Sequence, residues 1–406
     1  MKTYKILLVA ILSICGLSSE AAVSQTDSLR SRRSSLCSIM IKHVEDKYAK
    51  EIEEQFLEIP IDDKFNDHNL SVRVAYVDGT KPSTSDITQF VENNQLASRL
   101  VARWFNRNKF NGECNLDLIK SRGLYDASAM DYELASKSVL GKAALEDAGE
   151  DLIGHTYLMV NDITYIDKGK RSSMWGGIAG ALLTAGAMYA GVDESTSHDI
   201  GNLGNAVVSS LKGFRVKIHT RLYRLIWDEP TAALFYSNHY SQEGMSTDPT
   251  LFDKEREKYH VEYVGDVVSK GGTTSFLGIN EDQPELMIRK ACTRAIDENV
   301  ADLQKKYEQF RTKSPILSVN PTITAQIGLK EGISSDSKFE VLERQIKDGK
   351  TTYKRVGIVK PIGNMIWDNR FMAAEEGAYG ANLGSTTFKK VSGGDFYPGM
   401  LLREID

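Results

Sequence analysis

Residues 174–192, MWGGIAGALLTAGAMYAGV, hold ten Gly or Ala in nineteen positions and carry no charge. An uncharged run of this length must be covered by something, whether lipid, a neighbouring copy or the interior of its own domain. As a helix it would cover about 28 Å, close to the ~30 Å of bilayer hydrocarbon. Small residues recur at every fourth position, Gly176-Gly180-Thr184 and Gly177-Ala181-Ala185, a spacing that lets two helix backbones approach. The only strongly apolar aliphatics are Ile178, Leu182, Leu183 and Val192, which is a weak drive for insertion. In an exported chain, Lys168, Lys170 and Arg171 would lie outside while Asp193 and Glu194 entered the cytoplasm, opposite to the positive-inside bias. The stretch also lacks the clean alternation of a barrel strand. Three readings fit it: a buried or interfacial glycine-rich segment, a segment that enters an outer membrane once subunits assemble, and a simple span. For a membrane or subunit contact the residues are Trp175, Gly176, Gly177, Gly180, Leu182, Leu183, Gly186 and Tyr189.

The first residues read as an export signal over 1–22. Lys2 and Lys5 precede an apolar run from Ile6 to Leu17, and Ser18-Ser19-Glu20-Ala21-Ala22 is a small-residue exit. Cys15 follows Leu12-Ser13-Ile14, with a bulky Ile where a lipoprotein signal has a small residue, so simple cleavage is the expectation. A formal net charge of -5 over 406 residues forms no basic field for nucleic acid. Cys37, Cys114 and Cys292 show neither a disulfide framework nor zinc spacing. Buried thiols, or a single disulfide in an oxidising envelope, remain as readings.

Residues 23–69 read as a leader with the basic run Arg30–Ser35, then a surface helix from Ile39 to Phe56. Ser71–Val77 alternates as a strand and closes on Asp78-Gly79. Ile87, Phe90, Val91, Ala97, Leu100, Val101 and Trp104 recur at helical steps. Leu116–Ile119 reads as a short strand, Gly141–Ile153 as a helix and Thr156–Tyr165 as a strong strand. Strands alternating with helices imply an α/β sheet with helices on its faces.

Beyond the glycine-rich run, Gly213–Trp227 reads as a long strand with an apolar face and a basic one. The basic face offers Arg215, Lys217 and Arg221, with His219, to an acidic partner or simply to water. Ala232–Tyr240 is its expected hairpin partner, and Tyr259–Val268 another strand. Pro284–Phe310 carries one apolar helical stripe. Ser314-Pro315 ends that pattern. Phe339–Leu342, Tyr353–Val359, Thr386–Val391 and Met400–Ile405 then read as strands of a small barrel or sandwich.

No nucleophile elbow, phosphate loop, zinc helix, EF-hand or dinucleotide fingerprint occurs, so the chain reads as a non-enzyme without a cofactor. No two of the seven histidines stand at metal-ligand spacing. Glu146, Asp147, Glu150 and Asp151 cluster in one segment and read as a solvated helix face.

The block LEDAGEDLIGHTYLMVNDITYID (145–167), the insert after it and the return strand GFRVKIHTRLYRLIWD (213–228) resemble the curli secretion channel family, CsgG, over residues 70–310. The tail IGLKEGISSDSKFEVLE (327–343) resembles the terminal β domain of the flagellar assembly protein FlgT. These resemblances imply a CsgG-like α/β domain over 70–313 with an insert at 168–212, then a small barrel-like β domain over 314–406. In the curli family the insert closes a membrane pore on oligomerisation. The resemblance therefore implies an exported homo-oligomer in the periplasm or outer membrane that meets other envelope proteins and acts in assembly or secretion. The alternative is a soluble periplasmic protein-binding or scaffold module without pore formation.

Overall fold

The structure is a computed structural model describing residues 34–77, 81–125, 150–166, 214–241, 248–272, 284–347 and 350–405. The expected export signal, Cys15, His198, residues 174–192, most of the helix expected over Gly141–Ile153, and Glu146 and Asp147 lie outside the described residues. What is described forms a mixed α/β unit and a separate closed barrel whose strands all run antiparallel to their neighbours.

The chain enters the α/β unit at β1 (Ser34–His43), followed by α1 (Ala49–Leu57), β2 (Phe65–Asp67) and β3 (Val74–Val77). Next come α2 (Thr84–Asn93), α3 (Leu96–Trp104), α4 (Asp117–Tyr125), β4 (Thr156–Tyr165) and β5 (Arg215–Leu225). Two short helices, α5 (Glu229–Leu234) and α6 (Leu251–Lys254), precede β6 (Val261–Gly272) and the long α7 (Pro284–Lys306). The strand order is β2-β1-β4-β5-β6, with β3 also on β1. β2, β3 and β4 run parallel to β1, whereas β5 and β6 continue the sheet antiparallel.

β1 overturns the expected surface helix from Ile39 to Phe56, and Ser34–His43 and Phe65–Asp67 are strands of the sheet. Cys37, Ile39 and Ile41 enter one core with α2 and α3. Leu36 and Met40 enter the other with α1 and α7. A strand covered on both faces shows a continuous apolar run instead of alternation, which periodicity cannot distinguish from a helix. Only α1 survives of the predicted helix. Leu116–Ile119 is likewise not a strand but leads into α4, with Ile119 buried. Ala232–Tyr240 is helical, not a hairpin partner: Asp228 caps α5 through the Thr231 amide at 3.0 Å, with Pro230 in the first turn, and a π turn over Phe235–His239 follows. β5 pairs instead with β6. The start of α2 is fixed by a capping box in which Ser83 and Asp86 bond each other's amides at 3.2 and 2.8 Å.

Each face of the sheet closes on a large apolar cluster, and each fully buried Leu, Ile or Phe contributes roughly 1.5–3 kcal/mol. One polar relay crosses the second core. Asn161 Nδ2 donates to Ser38 Oγ at 3.0 Å, Thr220 Oγ1 donates to Asn161 Oδ1 at 2.7 Å, and Asn299 Nδ2 donates to Thr220 Oγ1 at 2.7 Å. It joins β1, β4, β5 and α7 through buried groups. Cys37, Cys114 and Cys292 are buried free thiols. Burial pushes Cys37 up to about 11 and Cys292 up to about 12. No helix among the described residues is long and apolar enough to cross a membrane.

The barrel begins where the sequence predicts a boundary. Its strands are β7 (Ser314–Ser318), β8 (Ile323–Ala325), β9 (Lys338–Lys347), β10 (Lys350–Pro361), β11 (Thr386–Gly393) and β12 (Leu401–Ile405). They close in the order β10-β11-β8-β7-β12-β9 around Ile316, Phe339, Val341, Val359, Phe388 and Leu402. The connection from β10 to β11 docks the barrel on α7. Glu376 there pairs with Lys290 and Arg294, and Arg294 Nη2 also donates to the Phe371 carbonyl at 2.8 Å.

Candidate interaction site at the carboxyl end of the parallel strands

The register places five strand termini on one side of the sheet. β1 and β3 end together at His43 and Val77, and β4 ends at Tyr165. β5 starts beside it, with Tyr165 opposite Val216, and β6 ends with Gly272 opposite Arg215. The segments 78–80, 167–213 and 273–283 all leave from this side. In open α/β sheets the carboxyl ends of parallel strands are where ligands and partners are met.

The face bearing Arg215, Lys217, His219 and Arg221 is continuous with the first core, because Tyr223 and Leu225 further along β5 pack there. It divides into a covered part and an open part. Arg221 is 2% exposed. Its Nε donates to Thr84 Oγ1 at 3.1 Å, its Nη2 to the Pro82 carbonyl at 3.1 Å, and its Nη1 lies 3.9 Å from Asp162. Arg221 thus ties β5 to the start of α2, and the expectation that it faces a partner is corrected. Asp162 also bonds His43 Nε2 at 2.5 Å, so these three groups form one buried polar cluster across β1, β4 and β5.

Past Arg221 the face opens. His219 Nε2 meets Asp266 Oδ2 at 2.7 Å, and the Tyr263 hydroxyl donates to Asp266 Oδ1 at 2.5 Å. Burial works against the Asp266 carboxylate, but the bonds from Tyr263 and His219 outweigh it and hold the group below the usual carboxylate range. The same arrangement, led by burial, pushes the Tyr263 phenol well up. Lys217 stands directly opposite Lys270 on the antiparallel ladder. Arg215 lies one step further out, its side chain against Gly272, where an added Cβ would come 3.1 Å from Arg215 Cγ. All three are at least partly exposed, and none has an ion-pair partner among the described residues. Like charges set opposite each other on a ladder are unfavourable unless an anion relieves them. The open row suits a carboxylate- or phosphate-bearing surface, with Tyr263 and Val268 as apolar neighbours that are 41% and 45% exposed.

Arg215 and Lys217 therefore sit where the sequence places them, and Lys270 joins them unforeseen. Its contribution depends on the β5–β6 register, which is shifted by a bulge near Gly265. His43 was also missed, because its segment read as a surface helix. No group of three or more His, Cys, Asp or Glu side chains able to hold a metal ion occurs among the described residues. No protein-family model matches the chain, and no curated protein matches it.

Proposed function

We propose that this chain is an exported, non-enzymatic cell-envelope protein that works as a subunit of an oligomeric outer-membrane assembly or secretion complex. Residues 174–192 are its contact with lipid or with a neighbouring copy. The observation that carries this reading is the pairing of Tyr165 with Val216. β4 and β5 pair directly, so residues 167–213 are joined at both ends to neighbouring strands at the same end of the sheet. The length of that segment and the uncharged composition of residues 174–192 within it support the reading that it serves something outside its own fold. This is also what the resemblance to the curli channel family implies. Arg215, Lys217 and Lys270 stand beside that exit and suit an acidic partner or an anionic surface.

The test is envelope fractionation and native mass measurement of the full chain, beside a variant lacking 174–192. The proposal expects a membrane-associated oligomer that falls to a soluble smaller species on deletion. A wild-type monomer recovered wholly from the soluble periplasm overturns it and leaves the soluble binding or scaffold module.

A further inference from the structure

We propose that the junction between the α/β unit and the barrel is a proton-operated latch, held shut by one proton in an ion cluster that has one carboxyl group too many. The cluster draws on three separate places. Asp62 and Lys64 come from the connection after α1, Asp297 from α7, and Lys330 and Glu331 from the turn between β8 and β9. Lys330 Nζ lies 3.1 Å from Asp62 and 4.0 Å from Asp297, and Lys64 Nζ lies 2.7 Å from Glu331. Every one of these side chains is at most 21% exposed. Arg294, the cation nearby on α7, is engaged by Glu376 and the Phe371 carbonyl. Three carboxyl groups therefore share two ammonium groups in the cluster; Asp63 and Lys313, which line the cavity beside it, have interactions of their own.

The partners decide which carboxyl is in excess. Glu331 holds Lys64, the Gly328 amide and Asn369 Nδ2, the last at 2.9 Å. Asp62 holds Lys330 and accepts from the Lys64 amide at 3.0 Å. Asp297 has one ion pair among the described residues, to Lys330 at the longest distance in the set, while Lys64 and Arg294 act on it only through space. Burial opposes the Asp62 carboxylate, but Lys330 and Lys64 win and hold it below its ordinary range. Burial dominates at Asp297 and pushes it up to about 7, with Asp62 and Glu331 adding to the effect and Lys330 and Lys64 opposing it. The cluster borders a cavity of about 240 Å³ whose charged lining is Asp62, Asp63, Lys64, Lys313, Lys330 and Glu331.

The sign follows from linkage. An acid whose pKa is higher in the docked state than in the open state takes up a proton on docking. That stabilisation is complete below the ordinary carboxylate value of about 4 and is lost as pH rises to about 7, above which it is flat. Asp62, shifted the other way, changes its contribution only below the ordinary carboxylate value. The barrel is therefore held most tightly in mildly acidic conditions.

Amide hydrogen exchange of the full chain, corrected for the chemical exchange rate, tests this at about pH 5 and about pH 7.5. Opening of peptides covering 59–64 and 326–333 is expected to rise on the order of fiftyfold across that interval, while β1 and β4 stay protected. Asp297→Asn, nearly isosteric, should be flat over the same interval. Wild-type protection that does not change, an equal rise in Asp297→Asn, or an equal rise in β1 and β4 each overturns the latch.

Discussion

Replacing Thr220 by Val tests whether the polar relay through the second core, and not apolar burial alone, fixes α7 on the sheet. Val matches Thr in shape, so the substitution leaves no cavity and isolates the hydroxyl. That hydroxyl donates to Asn161 Oδ1 and accepts from Asn299 Nδ2, each at 2.7 Å, and all three residues are 0% exposed. Without it, Asn161 Oδ1 loses its donor where no water can enter, which costs about 1–3 kcal/mol. The second loss is smaller, roughly 1 kcal/mol, because Asn299 Nδ2 keeps the Ile218 carbonyl at 3.2 Å. Together the expected cost is about 2–4 kcal/mol, or roughly 5–15 °C in the transition of a unit this size. Thr220→Ser keeps both bonds and deletes one methyl group, so it should cost only about 1 kcal/mol. Calorimetry on the full chain reads both, following the α/β transition separately from that of the barrel. If Val costs no more than Ser, the relay contributes nothing beyond packing and the reasoning fails.

Two further outcomes follow from close packing. Gly271→Ala should destabilise the α/β unit by about 1–3 kcal/mol, because a Cβ there would come 1.9 Å from the Ala291 carbonyl oxygen of α7; unchanged thermal unfolding would refute so close an approach. Cys37 and Cys292, buried and with raised pKa values, should react with a thiol reagent no faster than the protein unfolds, and prompt labelling of either in the native chain would show that its core is open.

How much of this was legible depends on what each element touches. β4, β5 and α7 were readable for different reasons: β4, covered on both faces, is dense in β-branched and aromatic residues, β5 alternates along the stretch where only one face is covered, and α7 keeps its stripe over many turns. β1 was not, since two covered faces erase its alternation. The Phe235–His239 turn follows the same logic, because Phe235 and His239 are buried among aromatic rings and this apolar run resembles a strand. β7 and β8 went unseen because strands of five and three residues carry too few positions to show a period. The ion cluster at the barrel junction was beyond reach altogether. Asp62, Asp297 and Lys330 are far apart in sequence, and only packing makes one lysine serve two carboxylates.

The basic face of β5 shows how one sequence pattern can receive two different uses from its surroundings. Arg215, Lys217, His219 and Arg221 are equivalent by alternation, and nothing in the strand itself separates them. The boundary is set by α2, whose capping box fixes its first turn at Ser83 and so fixes how far the helix covers the sheet. At that limit Arg221 finds the Pro82 carbonyl, the Thr84 hydroxyl and Asp162, and a buried guanidinium with such partners becomes a tie between layers. Beyond it no helix among the described residues lies over the strand; His219 finds Asp266, while Lys217 gains a like-charged neighbour, Lys270, instead of an acid. A fold under selection for stability alone would gain by placing Glu or Thr opposite Lys217. Keeping lysine there, next to the strand ends flanking residues 167–213, is the local inconsistency on which the proposed partner surface at this end of the sheet rests.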